Sequence, residues 1–136
     1  MHAQCGVCCN CLLRRVALRS AGLADLEPFV WRDLAAPVLS HALAPAHAGL
    51  ATTPRDRNIA LDAVRDHQAL ADIANDPARG PAFAQTVYET ARALGMPSAD
   101  ADGHLRRLLH RHREDWIAFL ATLPRESWVV RDAGGG

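Results

Sequence analysis

Residues 5–15 read Cys-Gly-Val-Cys-Cys-Asn-Cys-Leu-Leu-Arg-Arg, and this run decides how the front of the chain is organised. Within it, Cys5, Cys8 and Cys11 are each separated by two residues. A two-residue spacer curls the backbone back on itself, so that successive thiolates of such a run converge on one ion. Gly6 can take a positive φ angle and lets backbone N–H groups face the sulfurs. The spacing therefore predicts a metal site with Cys5, Cys8 and Cys11 as ligands and zinc as the ion.

This run leaves the fourth ligand of a tetrahedral zinc ion open. Cys9 is adjacent to Cys8, and neighbouring side chains rarely point at the same ion. His2 is close in sequence but belongs to a free terminus, where residues are poorly held. The third alternative is a ligand upstream of Met1, in a part that this chain does not contain.

An iron–sulfur cluster is the alternative to zinc at this site. Bacterial clusters also use cysteines separated by two residues, but their third cysteine is followed by three residues, a fourth cysteine and a proline. Here the fourth position after Cys11 is Arg15. A further interpretation, four unpaired thiols without a role, does not account for the regular spacing or for the glycine.

Composition bounds the class of protein. The 136 residues, 49% of them hydrophobic, suit one domain with its own core. The 15 basic and 15 acidic residues cancel, so no long-range field draws the chain to nucleic acid or to an anionic membrane. Every basic residue is arginine, which excludes chemistry based on a lysine Schiff base or a phosphate-loop lysine.

The sequence also indicates a compartment. No stretch reaches the roughly 18 apolar residues of a membrane span, and no signal-peptide core opens the chain. We therefore expect a cytoplasmic protein without a membrane partner. In a reducing cytosol, four cysteines within seven residues indicate metal ligands or redox thiols and not a disulfide framework.

The rest of the chain has helical spacing, and we predict a mainly α fold in which about four or five helices follow a cysteine knuckle. Thr53 is predicted to cap a helix that has Pro54 in its first turn, and Gly22 and Gly95 are predicted to stop helices. Residues 44–53 are predicted as a loop. The predicted segments are a short helix from Leu12 to Ala21, an extended or irregular helical stretch from Leu26 past Pro37, and helices from Pro54 to about Asn75, from Gly80 to Leu94 and from Ser98 to Leu123.

Residues 5–15 with Ala21-Gly22-Leu23 resemble the C-terminal zinc motif of the 7-cyano-7-deazaguanine synthase family of queuosine biosynthesis. The family pattern is Cys-Gly-x-Cys-x-x-Cys, a short spacer, Leu-Arg and a nearby glycine with a hydrophobic neighbour. The resemblance covers about the first 23 residues. It implies that Cys5, Cys8 and Cys11 bind a structural zinc together with a further cysteine upstream, and that Cys9 does not.

The resemblance also implies a bacterial family of ATP-dependent ligases, which convert 7-carboxy-7-deazaguanine and ammonia to the nitrile. Their Ser-Gly-Gly-x-Asp-Ser phosphate loop is missing from this chain. We therefore assign no catalytic and no cofactor-binding residue, and whether the chain is an enzyme stays open. We expect it to be the C-terminal part of a larger α/β ATP-pyrophosphatase-type protein, inactive alone, with ATP bound only in the missing N-terminal part.

The resemblance, together with the three terminal glycines, predicts a division of the chain into three parts. Residues 1–23 are the zinc knuckle and first helix, residues 24–132 a helical extension, and residues 133–136 a disordered tail. A longer extension of this kind is similar to that of synthase-like proteins of anti-phage gene clusters. The expected partner is a separate ATP-binding part or another protein.

Two further functions are kept open beside the synthase-like fragment. One is a stand-alone helical protein-interaction module with a structural zinc, in phage defence, and the other is a small iron–sulfur protein. His110 and His112 lie two apart on a predicted helix and point to different sides, so we interpret His112 as a core or boundary residue. The nearby arginines are interpreted as a solvated face, and direct nucleic-acid binding is not expected.

Overall fold

The computed structural model describes residues 4–76 and 80–134, and it is mainly helical, which confirms the predicted fold class. Short 3-10 turns lie between the α-helices. No described helix combines the length and the apolar character needed to cross a membrane. The α-helices of the described residues are α1 (Cys9–Ser20), α2 (Pro54–Asp72), α3 (Gly80–Leu94), α4 (Ser98–Leu120) and α5 (Trp128–Gly134).

Local capping determines where several of these helices begin and end. The Thr53 hydroxyl accepts a hydrogen bond from the backbone N–H of Asp56, whose carboxylate in turn accepts the Thr53 N–H, so α2 begins with a reciprocal cap. Gly22 (φ +68°) ends α1 and Gly95 (φ +64°) ends α3. After each glycine, the next N–H bonds back to the fifth residue before it, Leu23 to Leu18 and Met96 to Ala91. These predicted helix ends are therefore confirmed.

Other segments differ from the prediction. α1 begins at Cys9 and not at Leu12, and α2 ends at Asp72 and continues only as a 3-10 turn, Ile73–Asn75. For the stretch from Leu26 past Pro37 the sequence leaves an extended and an irregular helical alternative open, and the structure shows no α-helix there. The part around Phe29 and Trp31 is extended and makes two isolated bridges, Gln4 to Phe29 in parallel and Trp31 to Leu43 in antiparallel orientation, and a turn follows at Leu34.

The disordered tail is predicted to begin at residue 133, whereas the last helix, α5, spans Trp128–Gly134. Ala133 and Gly134, assigned to the disordered tail, are the last two residues of that helix, and Gly135 and Gly136 lie outside the described residues. The sequence also predicts an apolar stripe along α2 that includes Ile59 and Leu70, and the structure differs from it in detail. Ile59 and Leu70 are 39% and 42% exposed, whereas smaller neighbours of the stripe are buried.

The described residues form two compact units. The first contains those up to Gln68 and those from Asp115 onward, and the second contains Ala69–Glu114. The boundary at residue 23 that the sequence predicts stays a prediction. In the second unit, Phe83, Val87, Ala91 and Ala101 form a small core, and Met96, Leu105 and Leu109 pack against it.

The first unit is built around Trp116, whose side chain is fully buried. The ring of His67 stacks on it at 5.4 Å and that of Phe119 at 5.8 Å, measured between centroids. The indole N–H of Trp116 donates to the Gln68 side-chain oxygen at 2.9 Å. A buried indole with a satisfied N–H anchors a core without the cost of an unpaired polar group.

α5 is held in the first unit through Ser127, which is fully buried. Its hydroxyl donates to the carbonyl oxygen of Leu34 at 2.7 Å and accepts the N–H of Val129 at 3.1 Å. The N–H of Trp128 donates to Ala36 at 3.0 Å. The same hydroxyl therefore caps the helix and ties it to the turn at Leu34.

Replacing this hydroxyl tests the attachment of α5. We expect Ser127→Ala to lower the free energy of unfolding by about 2 kcal/mol, because it leaves a buried carbonyl and a helix N–H without their partner. Urea denaturation followed by tryptophan fluorescence measures the change. Ser40→Ala, at an exposed serine, is the control. Equal stability of the two variants would contradict this role for Ser127.

Candidate metal centre

The cysteine loop lies between an extended segment and the first helix. The N–H of Val30 donates to the carbonyl oxygen of Gln4 at 2.9 Å, and that of Trp31 donates to Cys5 at 3.0 Å. Cys8 is the N-cap residue of α1. The loop is thus held on one side by backbone pairing and on the other by a helix N-terminus, where the helix dipole favours a thiolate.

The structure brings the three predicted cysteines together. The sulfurs of Cys5, Cys8 and Cys11 all lie within 4.8 Å of one another, and those of Cys5 and Cys11 are 3.7 Å apart. Cys11 is buried at 7% exposure, while the other two are partly exposed. All four cysteines are free thiols. Three soft sulfur ligands at this separation can hold a metal ion.

Cys9 lies apart from this group. Its sulfur is 3.6 Å from the Nε2 atom of His67, and the same ring nitrogen is 3.0 Å from its carbonyl oxygen. Because a carbonyl only accepts, Nε2 is the donor of that hydrogen bond. Burial, together with the charge of Asp66, raises the pKa of the Cys9 thiol. The Cys9 side chain therefore contacts buried His67 and is not part of the group of three sulfurs.

Among the described residues, no histidine, cysteine or carboxylate joins the group as a fourth ligand. The polar side chain beside it is Gln4, whose Oε1 lies 3.9 Å from the Cys11 sulfur. His2, one of the predicted alternatives, lies outside the described residues. The group itself consists of three sulfurs.

The protonation of these thiols is uneven. Burial alone would raise the pKa of Cys5, but the backbone N–H groups of Val7 and Cys8 donate to its sulfur, and its pKa lies below the ordinary value. Burial, with the neighbouring thiols of Cys8 and Cys5, raises the pKa of Cys11 to about 12. A metal ion that bound here at neutral pH would have to displace a proton from Cys11.

Gly6 lets the loop close against the extended segment. Its φ angle is +89°, in the region that favours glycine. A Cβ atom at this position would lie 2.3 Å from the carbonyl oxygen of Trp31 and 2.9 Å from the Cβ of Phe29. Glycine is therefore required here by its conformation and also by its size.

Arg15 clamps the same region, and sequence reasoning did not single it out. Its guanidinium donates to the carbonyl oxygens of Gly6 at 3.1 Å and Trp31 at 3.3 Å, and also to that of Arg32. It lies 4.5 Å above the Phe29 ring. Burial lowers the pKa of Arg15 although the nearby Asp25 opposes this effect. The available signal was its position four residues after Cys11, on the same side of α1.

The crowding at Gly6 gives a test with a matched control. Gly6→Ala is expected to destabilise the protein by clearly more than the about 1–2 kcal/mol of a left-handed alanine, because its Cβ also meets the Trp31 carbonyl. Gly22→Ala carries only the conformational cost, since a Cβ there meets nothing within 4 Å. Urea denaturation measures both variants. Equal losses would contradict the close packing of the loop.

Nothing among protein-family models, curated proteins or solved structures matches this chain. Its function is therefore inferred from its own sequence and geometry. Its most specific feature is the group of three converging sulfurs, held by Gly6 and Arg15 against the extended segment.

Proposed function

We propose that this protein binds zinc through Cys5, Cys8 and Cys11, and that the ion is structural. The observation that carries the proposal is the approach of the three sulfurs to within 4.8 Å of one another. Zinc is the ion that suits a cysteine-rich tetrahedral site, and such sites contribute directly to folding. Three sulfurs leave one of its four positions for a further ligand.

The surroundings support a structural role. Cys11 is buried, and Gly6 packs against Trp31. The Arg15 guanidinium donates hydrogen bonds to backbone carbonyl groups. Bound zinc would join the loop at Cys5 to the start of α1, two pieces of chain that meet at the extended segment. We also propose a cytoplasmic location, where thiols of this kind stay reduced.

From the resemblance to 7-cyano-7-deazaguanine synthases we also propose which kind of protein this site belongs to. It is supported by the motif and by the separation of Cys9 from the three sulfurs, as the family pattern requires. On this proposal the chain supplies the zinc-bearing part of a synthase-like protein and acts with an ATP-binding part. The zinc itself takes no part in the adenylation chemistry.

Metal content separates the zinc proposal from its alternatives. The purified full chain is expected to carry one equivalent of zinc, and Cys8→Ser is expected to lose most of it. Cys9→Ser, one residue away, is the matched control and should retain it, because Cys9 faces His67. Elemental analysis gives the answer. If the chain instead contains iron and sulfide and absorbs visible light, the site holds an iron–sulfur cluster and not zinc. Unchanged zinc content in Cys8→Ser would exclude the proposed site.

The pH dependence of binding tests the protonation of the site. Because the pKa of Cys11 is raised to about 12, zinc must displace its proton throughout the neutral range. The apparent affinity should therefore rise with pH by about tenfold or more per unit. Competition with a chromophoric chelator at several pH values around neutrality measures this slope. A slope of zero would mean that the ligands are already deprotonated or that zinc binds elsewhere.

The synthase context needs its own experiment. We expect the chain to restore nitrile formation when it is added to a synthase truncated before its zinc motif, with 7-carboxy-7-deazaguanine, ATP and ammonia. The Cys8→Ser variant should restore less. Chromatographic detection of the nitrile is the measurement. No product with the zinc-loaded chain would overturn the synthase proposal and leave the metal site untouched.

A further inference from the structure

A second candidate site lies away from the cysteines, in a cleft of about 340 Å³ within the first unit. The 3-10 turn at Leu39–His41, α2 and α5 form its walls. Its volume falls at the lower end of the range of about 300–1,000 Å³ that small-molecule sites occupy. A ligand of this cleft would therefore be small.

The lining combines an apolar floor with charged groups at its edge. Leu39, Ala60 and Trp128 are buried, at 8%, 1% and 3% exposure. The charged residues of the lining are Arg57, Arg131 and Asp132. Two guanidinium groups and one carboxylate leave an excess of one positive charge. The cleft therefore offers apolar contact to one end of a ligand and a net cation to the other.

The two arginines differ in what they already bind. Arg131 donates to the carbonyl oxygen of Pro37, which holds it at the edge of the cleft. Arg57 is exposed and makes no ion pair with a described residue. A guanidinium presents a planar fork that matches a carboxylate with two parallel hydrogen bonds. Arg57 is therefore the group that can receive an anion.

The walls are held in place before any ligand arrives. Ser127 and Trp128 bond to the carbonyl oxygens of Leu34 and Ala36, so α5 is fixed against the segment that precedes Val38. A cleft whose walls are already ordered loses little conformational freedom on binding. This ordering favours specific binding of a small ligand.

We propose that this cleft binds an amphipathic monocarboxylate, with its carboxylate on Arg57 and its apolar body on Leu39, Ala60 and Trp128. The single excess positive charge matches one negative charge. Asp132 disfavours a dianion such as a phosphate monoester, because like charges in a half-buried site repel. The apolar floor disfavours a small inorganic anion, which would leave that surface without contact.

The test is an NMR titration of the full chain with hexanoate, hexan-1-ol and hexylammonium, which share one apolar body. Hexanoate is expected to shift the amide signals of Leu39, Leu61 and Trp128, and the alcohol and the ammonium ion to do so far more weakly. Binding of all three ligands with equal affinity would show an apolar groove without charge selection and overturn the proposal. Tighter binding of hexyl phosphate than of hexanoate would overturn the assignment to a monocarboxylate.

Two arginine variants locate the carboxylate. Arg57→Gln should weaken hexanoate binding by about tenfold, the effect of losing one charge-assisted contact. Arg55→Gln removes an exposed charge two residues away and should leave the affinity unchanged. Amide spectra that match outside the cleft show that both variants are folded. Equal weakening in both, or none in Arg57→Gln, would contradict the role of Arg57.

Discussion

The close approach of Gly6 to the carbonyl oxygen of Trp31 is the constraint on which the front of the molecule depends. No side chain fits between the two backbones, because even a Cβ atom would lie 2.3 Å from that oxygen. The approach leaves carbonyl groups facing inward, and Arg15 satisfies those of Gly6 and Trp31 with one guanidinium. The cysteine loop and the extended segment are thus joined by protein contacts alone.

Much of the helical structure could be predicted from the sequence, because the signals that define helix ends are local. The hydroxyl of Thr53 and the carboxylate of Asp56 are three residues apart, and Gly22 and Gly95 end their helices through bonds that span five residues. Burial was harder to predict. On α2 the apolar residues at helical spacing include Ile59, yet its side chain is 39% exposed. Helical spacing alone does not determine which of two adjacent helix faces is buried.

Contacts between distant parts of the chain explain what could not be predicted. α5 depends on a hydrogen bond from Ser127 to Leu34, 93 residues earlier. The sequence of α5 itself does not predict that partner. At the site, the spacing of the cysteines predicted which sulfurs converge. The clamp by Arg15 could not be predicted, because its acceptors lie on the loop at Gly6 and on the segment at Trp31.

The separation of Cys9 from the other three cysteines follows from the geometry of α1. Successive residues of an α-helix point about 100° apart, so residues three and four apart share a side. Cys8, Cys11 and Arg15 follow this spacing on the side of the loop. Cys9, Leu12 and Val16 follow it one step later, and the last two are buried at 0% and 2% exposure.

One short helix therefore presents two side-chain rows, one to the group of three sulfurs and one to the core at His67. Shifting the helix by one residue would bring Cys9 to the position of Cys8 and would turn Cys11 and Arg15 away from the loop. The clamp at Arg15 and the core packing of Leu12 both oppose that shift. The register of α1 is what selects three cysteines out of four.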